Sequence, residues 1–207
     1  MGSAHWRPIW RTKSTASVRA ASGRSTYSPE QVTALMMDAW KALELDPEDS
    51  LLDIGCAAGL LGQHLSEGVK RYVGIDYSLG AVGGFADRCN VATACASATA
   101  LPFRNGAFTK TLTSSVLLCL SKDEGLTALR EMRRVTKDGG IGFVSGNLDA
   151  GGYYLCPYPE AFEHATWYTP GELLRMAFEA GWTDVHMQAP NVLIPQAPFH
   201  VDMVVRA

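Results

Sequence analysis

Apolar residues fall into two kinds of run along this chain. Short blocks near Leu51–Ile54, Tyr72–Ile75, Val91–Cys95, Thr109–Ser115 and Ile141–Ser145 are nearly continuous, as in strands buried on both faces. Between them, over Leu60–Ser66, Leu79–Arg88 and Lys122–Thr136, apolar residues recur at helical spacing. An earlier helix opens at Ser28-Pro29-Glu30-Gln31, which supplies an N-cap, a proline at the first helical position and a capping-box glutamine, and it runs to about Leu45. Thr169-Pro170-Gly171-Glu172 repeats that signature, and Gly181 stops the helix it starts. Such alternation predicts a mostly parallel sheet with helices on both faces. Two last strand patterns, about Asp184–Ala189 and His200–Arg206, have prolines but no helix between them and should pair antiparallel.

At 207 residues the chain is long enough for one domain with a real core, and residues 1–207 read as a single unit without repeat or linker. No apolar run approaches the ~20 residues of a membrane span. Five cysteines, an odd number without metal-ligand clustering, fit a reduced cytoplasmic protein with no metal site. Charge is uneven. Residues 1–29 hold five of the 18 basic residues and none of the 21 acidic ones, so the rest carries 13 basic against 21 acidic. An acidic body without a basic stripe argues against nucleic acid. The basic opening, 1–28, has three readings: a transit peptide, a solvated tail, or an arm folded over a ligand. We read it as an arm, because Trp6 and Trp10 lie one helical turn apart and are costly to expose.

Candidate chemistry begins at Leu51 to Gly59, Leu-Leu-Asp-Ile-Gly-Cys-Ala-Ala-Gly. A strand enters the carboxylate Asp53, then a loop punctuated by Gly55 and Gly59, then a helix. Loop amides and the positive helix end make such a corner an anion- and nucleotide-binding site. The dinucleotide fingerprint Gly-x-Gly-x-x-Gly would need glycines at Ala57 and Leu60, which disfavours a nicotinamide enzyme.

The Asp-x-Gly-x-x-x-Gly arrangement resembles motif I of the class I S-adenosylmethionine-dependent methyltransferases. Four further segments are similar to that family in order: Tyr-Val-Gly-Ile-Asp ending at Asp76; Ala96 to Phe103; Phe108 to Leu120; and Glu131 to Gly140. The resemblance implies a Rossmann-like, doubly wound sheet of seven strands ending in an antiparallel hairpin. It also implies S-adenosylmethionine as cofactor, S-adenosylhomocysteine as product and a small-molecule acceptor. Asp53, Gly55, Cys56, Ala57 and Gly59 would form the cofactor loop. Asp76 would accept from both ribose hydroxyls, with Tyr77 against the adenine. Ser97 and Ala98 would hold the adenine edge, and Ser114 and Ser115, at the end of the fourth strand, would be further cofactor contacts. Ser97 and Thr109 stand where relatives carry Asp, and Leu118-Cys119 where they often carry His. These departures keep open a second reading, a binding scaffold without turnover.

Open α/β sheets bind ligands beyond the carboxyl ends of their strands, so the acceptor belongs near the loops after strands four and five. The longest of these, 147–168, is aromatic-rich and reads as an acceptor-loop insertion suited to a moderately apolar molecule. Asn147, Tyr153 and Tyr154, with Tyr27 from the arm, are candidate substrate contacts. His164 is the candidate general base, since its ordinary pKa of about 6.5 suits proton transfer near neutrality.

Overall fold

The computed structural model describes Pro8, Val18 and residues 27–147, 165–188 and 200–207, with side chains omitted at 147, 200 and 201. Helix α1 (Pro29–Ala42) starts from the expected capping box, with Ser28 Oγ taking the Gln31 amide and Gln31 returning to the Ser28 amide at 2.8 Å. Strand β1 (Ser50–Ile54) leads through the glycine loop into the short helix α2 (Gly62–Leu65) and a 3₁₀ turn (Ser66–Gly68). Then follow β2 (Arg71–Asp76), α3 (Leu79–Cys89), β3 (Ala92–Cys95), β4 (Phe108–Ser114), a 3₁₀ turn (Leu117–Cys119) and α4 (Lys122–Val135). After β5 (Thr136–Asn147) come α5 (Pro170–Glu179), β6 (Asp184–Gln188) and β7 (His200–Arg206).

Three elements differ from expectation by more than one residue. Helix α1 ends at Ala42, not near Leu45, because Leu43 makes its cap. The helix expected over 60–66 shrinks to Gly62–Leu65, since Leu60 and Leu61 still belong to the turn. Strand five begins at Thr136 instead of Ile141. The Thr-Lys-Asp-Gly-Gly stretch reads as a turn in isolation, yet Thr136 pairs with Phe108 and the register shifts before Lys110 meets Ile141. A bulge in one strand absorbs residues that look like a loop.

The seven strands lie in the order β3-β2-β1-β4-β5-β7-β6. All neighbours from β3 to β5 are parallel, and β7 runs antiparallel to both β5 and β6. Successive residues of β1 serve opposite faces, as the period of a strand requires. Leu52 and Ile54 pack with Leu129, Met132 and Val135 of α4 and with Trp182, while Leu51 packs with Val32, Leu35 and Ala39 of α1 and Phe85 of α3. Both faces are therefore covered, which is why the strands read as unbroken apolar runs. The order of connection reverses at β1 and β4. That reversal opens a crevice beyond their carboxyl ends, the end of the sheet at which Asp76 closes β2 and Ser114 closes β4.

Candidate active site

Main-chain bonds lace the carboxyl ends of the strands together. The Gly55 and Cys56 amides both donate to the Ile75 carbonyl, at 2.8 and 2.9 Å, joining the β1 loop to β2. The Ala57 amide donates to Asp76 Oδ2 at 2.9 Å, and the Ser78 amide to Asp76 Oδ1 at 2.8 Å. On the far side, the Ala96 amide donates to the Asp76 carbonyl at 3.0 Å and Cys95 Sγ to the Tyr77 carbonyl. The Ser115 amide donates to the Ser145 carbonyl at 2.7 Å, tying β4 to β5.

These bonds correct one expectation. Four amides of the glycine loop, those of Gly55, Cys56, Ala57 and Gly59, are engaged inside the protein. Helix α2 is only four residues long, so its dipole is small. The corner thus presents a shaped cradle and a carboxylate more than a ring of outward amides.

Backbone conformation follows from that shape. Gly55, Ala57 and Gly59 have φ of +80, +48 and +79°, in the left-handed region that glycine enters without penalty. A Cβ on Gly55 would lie 2.2 Å from Val116 Cγ2, and one on Gly59 2.2 Å from the Phe85 ring. The missing side chains are what let the post-β4 turn and α3 close on the loop. Ser115, at φ +59°, is one of four non-glycine residues with left-handed backbone among the described residues, and it is placed where β4 stops. Strained residues of this kind gather where a structure positions a ligand.

Asp76 sits between β2 and the loop. Burial pushes its carboxyl above the ordinary range, and hydrogen bonds from the Ser78, Ala57 and Tyr77 amides pull the other way. A carboxylate offers about four lone-pair sites, so acceptor capacity remains beyond the two short bonds. Asp53 is buried in β1, where Tyr72 donates its hydroxyl to Oδ2 at 2.7 Å. Burial and that carboxylate raise the Tyr72 pKa, and burial with Asp53 and Asp76 raises the Cys56 thiol.

The segment after β3 is latched from below. Arg134 on α4 donates to the Leu101 carbonyl at 3.0 Å, the Phe103 carbonyl at 2.7 Å and Asn105, while Glu131 Oε2 accepts the Leu101 amide at 2.7 Å. The Arg134–Glu131 ion pair lowers the glutamate's pKa, chiefly through the hydrogen bond. Ser97 is occupied locally: its hydroxyl lies 2.8 Å from Thr99 Oγ1 and accepts the Thr99 amide at 3.2 Å. Ala98 lies beside it, half-buried against the α4 core.

On the acceptor side, the segment leading into α5 returns to the post-β4 turn. The Thr166 amide donates to the Leu118 carbonyl at 2.8 Å and Tyr168 Oη to the Leu117 carbonyl at 3.3 Å. Tyr27 packs half-buried against the cluster around Leu35 and Phe85, as Val18 of the arm does. Tyr153, Tyr154 and His164 lie outside the described residues, and only the backbone of Asn147 is described, opposite His200. Among the described residues, no three of His, Cys, Asp and Glu come together as metal ligands, and no helix is long and apolar enough to cross a membrane. Arg134, Glu131, Tyr72 and Val116 were not foreseen as site-shaping residues. Each acts across 18 or more positions, beyond the reach of local spacing.

Known proteins share part of this sequence and this fold. Residues 51–140 match a family described as a methyltransferase domain. Over 100 residues the chain is 35% identical to the demethylmenaquinone methyltransferase of Corynebacterium urealyticum, a match covering 48% of this chain and 42% of that protein. The chain thus spans under half the length of that curated relative. The geranyl diphosphate C-methyltransferase of Streptomyces coelicolor A3(2), solved with Mg2+, geranyl diphosphate and S-adenosylhomocysteine, shares the fold at TM-score 0.74 and 15% identity, over 99% of this chain and 97% of that one. A [4+2]-cyclase shares it at TM-score 0.69 and 20% identity, over 89% and 84%.

Proposed function

We propose that the chain is a class I S-adenosylmethionine-dependent methyltransferase, since residues 51–140 match a methyltransferase domain, and that it transfers the cofactor's methyl group to a small-molecule acceptor at oxygen, nitrogen or carbon. The observation that carries this reading is the Asp76 carboxylate, joined at 2.9 Å to the Ala57 amide of the glycine loop. One anchored acid and one preshaped cradle meet at the carboxyl ends of β2 and β1, beside the switch point of the sheet. Both suit an adenosyl ligand: the acid has capacity for ribose hydroxyls, and the bare Cα of Gly55 keeps the loop tight against Val116.

The sheet order sets out a track. Ser97, Ala98 and Tyr77 would flank the adenine at β3 and β2, and Asp76 the ribose. Gly55 to Gly59 would lie under the methionyl part at β1, with Ser114 and Ser115 beside it at β4. The bound cofactor supplies a methyl group already activated by its sulfonium. The protein's work is to place a nucleophile in line behind that methyl and to exclude water. Residues 147–168 form the acceptor loop in this reading, supported by the anchoring of Thr166 and Tyr168 on the post-β4 turn. Tyr27, Asn147, Tyr153 and Tyr154 would line the acceptor, and His164 would take a proton from acceptors that must lose one. The arm, 1–28, would cover the site, a reading supported by Val18 against the core. Asp53 we assign to holding β1 through Tyr72.

A second reading, a cofactor-binding scaffold without methyl transfer, is favoured by one observation. Ser97 stands where relatives carry Asp, and its hydroxyl is engaged with Thr99, so this position offers the adenine edge no carboxylate. Calorimetric titration with S-adenosylmethionine and S-adenosylhomocysteine, followed by a metabolite screen with labelled methyl groups, separates the two. Binding with label transfer supports the enzyme, and binding without transfer to any acceptor supports the scaffold. Absence of binding to both ligands sinks the cofactor assignment.

A further inference from the structure

The glycine loop is also gripped from α3. Arg88 donates from Nη2 to the Ala58 carbonyl inside the loop and from Nη1 to the Gly84 carbonyl at 3.2 Å. Its guanidinium lies 5.9 Å from the centroid of the Phe85 ring, and that ring fills the space beside Gly59. One planar fork therefore joins the helix to a loop whose neighbouring residue, Ala57, is held at φ +48° without being glycine. The Asp76 bond secures the loop on its β2 side, and Arg88 secures it on the α3 side.

We propose that Arg88 is a positioning residue for the cofactor's methionyl portion: it fixes the Ala58 carbonyl, and so the peptide planes of residues 57 to 59. The inference rests on the S-adenosylmethionine reading. Adenosine alone would occupy the β3 and β2 end of the track, which Arg88 does not touch. The methionyl part would lie over β1, on the loop that Arg88 holds. Loss of the clamp therefore acts unequally on the two halves of one ligand, which a general loosening of the fold would not do.

The test is calorimetric titration of wild type, Arg88→Ala and Arg88→Lys with S-adenosylhomocysteine and, separately, with adenosine. Arg88→Ala should weaken S-adenosylhomocysteine about tenfold, the scale for losing a charge-assisted hydrogen bond, and leave adenosine nearly unchanged. Arg88→Lys keeps the charge with fewer donors and should fall between, which also covers an alanine variant that folds poorly. Unchanged S-adenosylhomocysteine affinity in both variants, or equal weakening of both ligands, overturns the assignment. A wild-type protein that binds neither ligand overturns the cofactor reading and this inference with it.

Discussion

Asp76 is tied down before any ligand arrives, and that fixes how it should respond to substitution and to acid. Asp76→Ala removes an ionised acceptor, so S-adenosylmethionine affinity should drop by about 1–3 kcal/mol, the range for hydrogen bonds to charged groups. Unchanged calorimetry would contradict the ribose role. Burial raises this carboxyl's pKa, so protonation begins at a higher pH than for an exposed aspartate. The ionised form is the acceptor, and affinity should therefore decline as pH falls, ahead of the ordinary carboxylate range. Titrations between pH 7 and 4 check this, and Asp76→Asn should remove the dependence. Gly55 works differently. Its Cβ would strike Val116, so a side chain there disturbs the turn after β4 as well as any ligand.

Elements are fixed by contacts of two lengths, and these account for what sequence reading found. The capping boxes at Ser28 and Thr169 were legible because donor and acceptor lie three residues apart. A third, Ser121 with Glu124, has the same spacing and escaped notice. The five parallel strands and both terminal strands were legible from apolar runs. The start of β5 was not, since its first residues gain a partner only from Phe108. Nor was the latch, which spans some 30 positions from Leu101 to Glu131 and Arg134. Arg134→Ala frees two carbonyls from that latch and should cost about 1–3 kcal/mol in urea unfolding. It should also weaken S-adenosylhomocysteine binding, and an unaltered affinity would detach the latch from the site. Helix α5 offers a pH test. The hydrogen bond from Lys122, then that from the Thr169 amide, lower Glu172 from 4.5 to about 2. A depressed carboxyl stabilises the fold above its unfolded value and loses that contribution as pH falls through about 2. Glu172→Gln keeps the capping box but not the ion pair. Its deficit should be within about 1 kcal/mol at neutral pH, as for surface pairs, and in thermal scans should shrink as pH falls from about 4.5 towards about 2, vanishing only below that.

For the whole molecule, a ligand that binds only the folded state stabilises it by mass action. S-adenosylhomocysteine at a hundred times its Kd should add about 2.7 kcal/mol, raising Tm by about 5–10 °C for a chain of this size. NADH should leave Tm unmoved, and the reverse pattern would revive the nicotinamide alternative. The placing of β7 between β5 and β6 has a consequence for biosynthesis. When the ribosome has made β6, that strand still has no neighbour to join, and β5 presents an open row of backbone groups beside Phe143 and Ile141. Such an edge invites pairing with other nascent chains. A stalled chain ending at Gln188 should accordingly be protease-sensitive and bound by chaperones, and release through Arg206 should end both together.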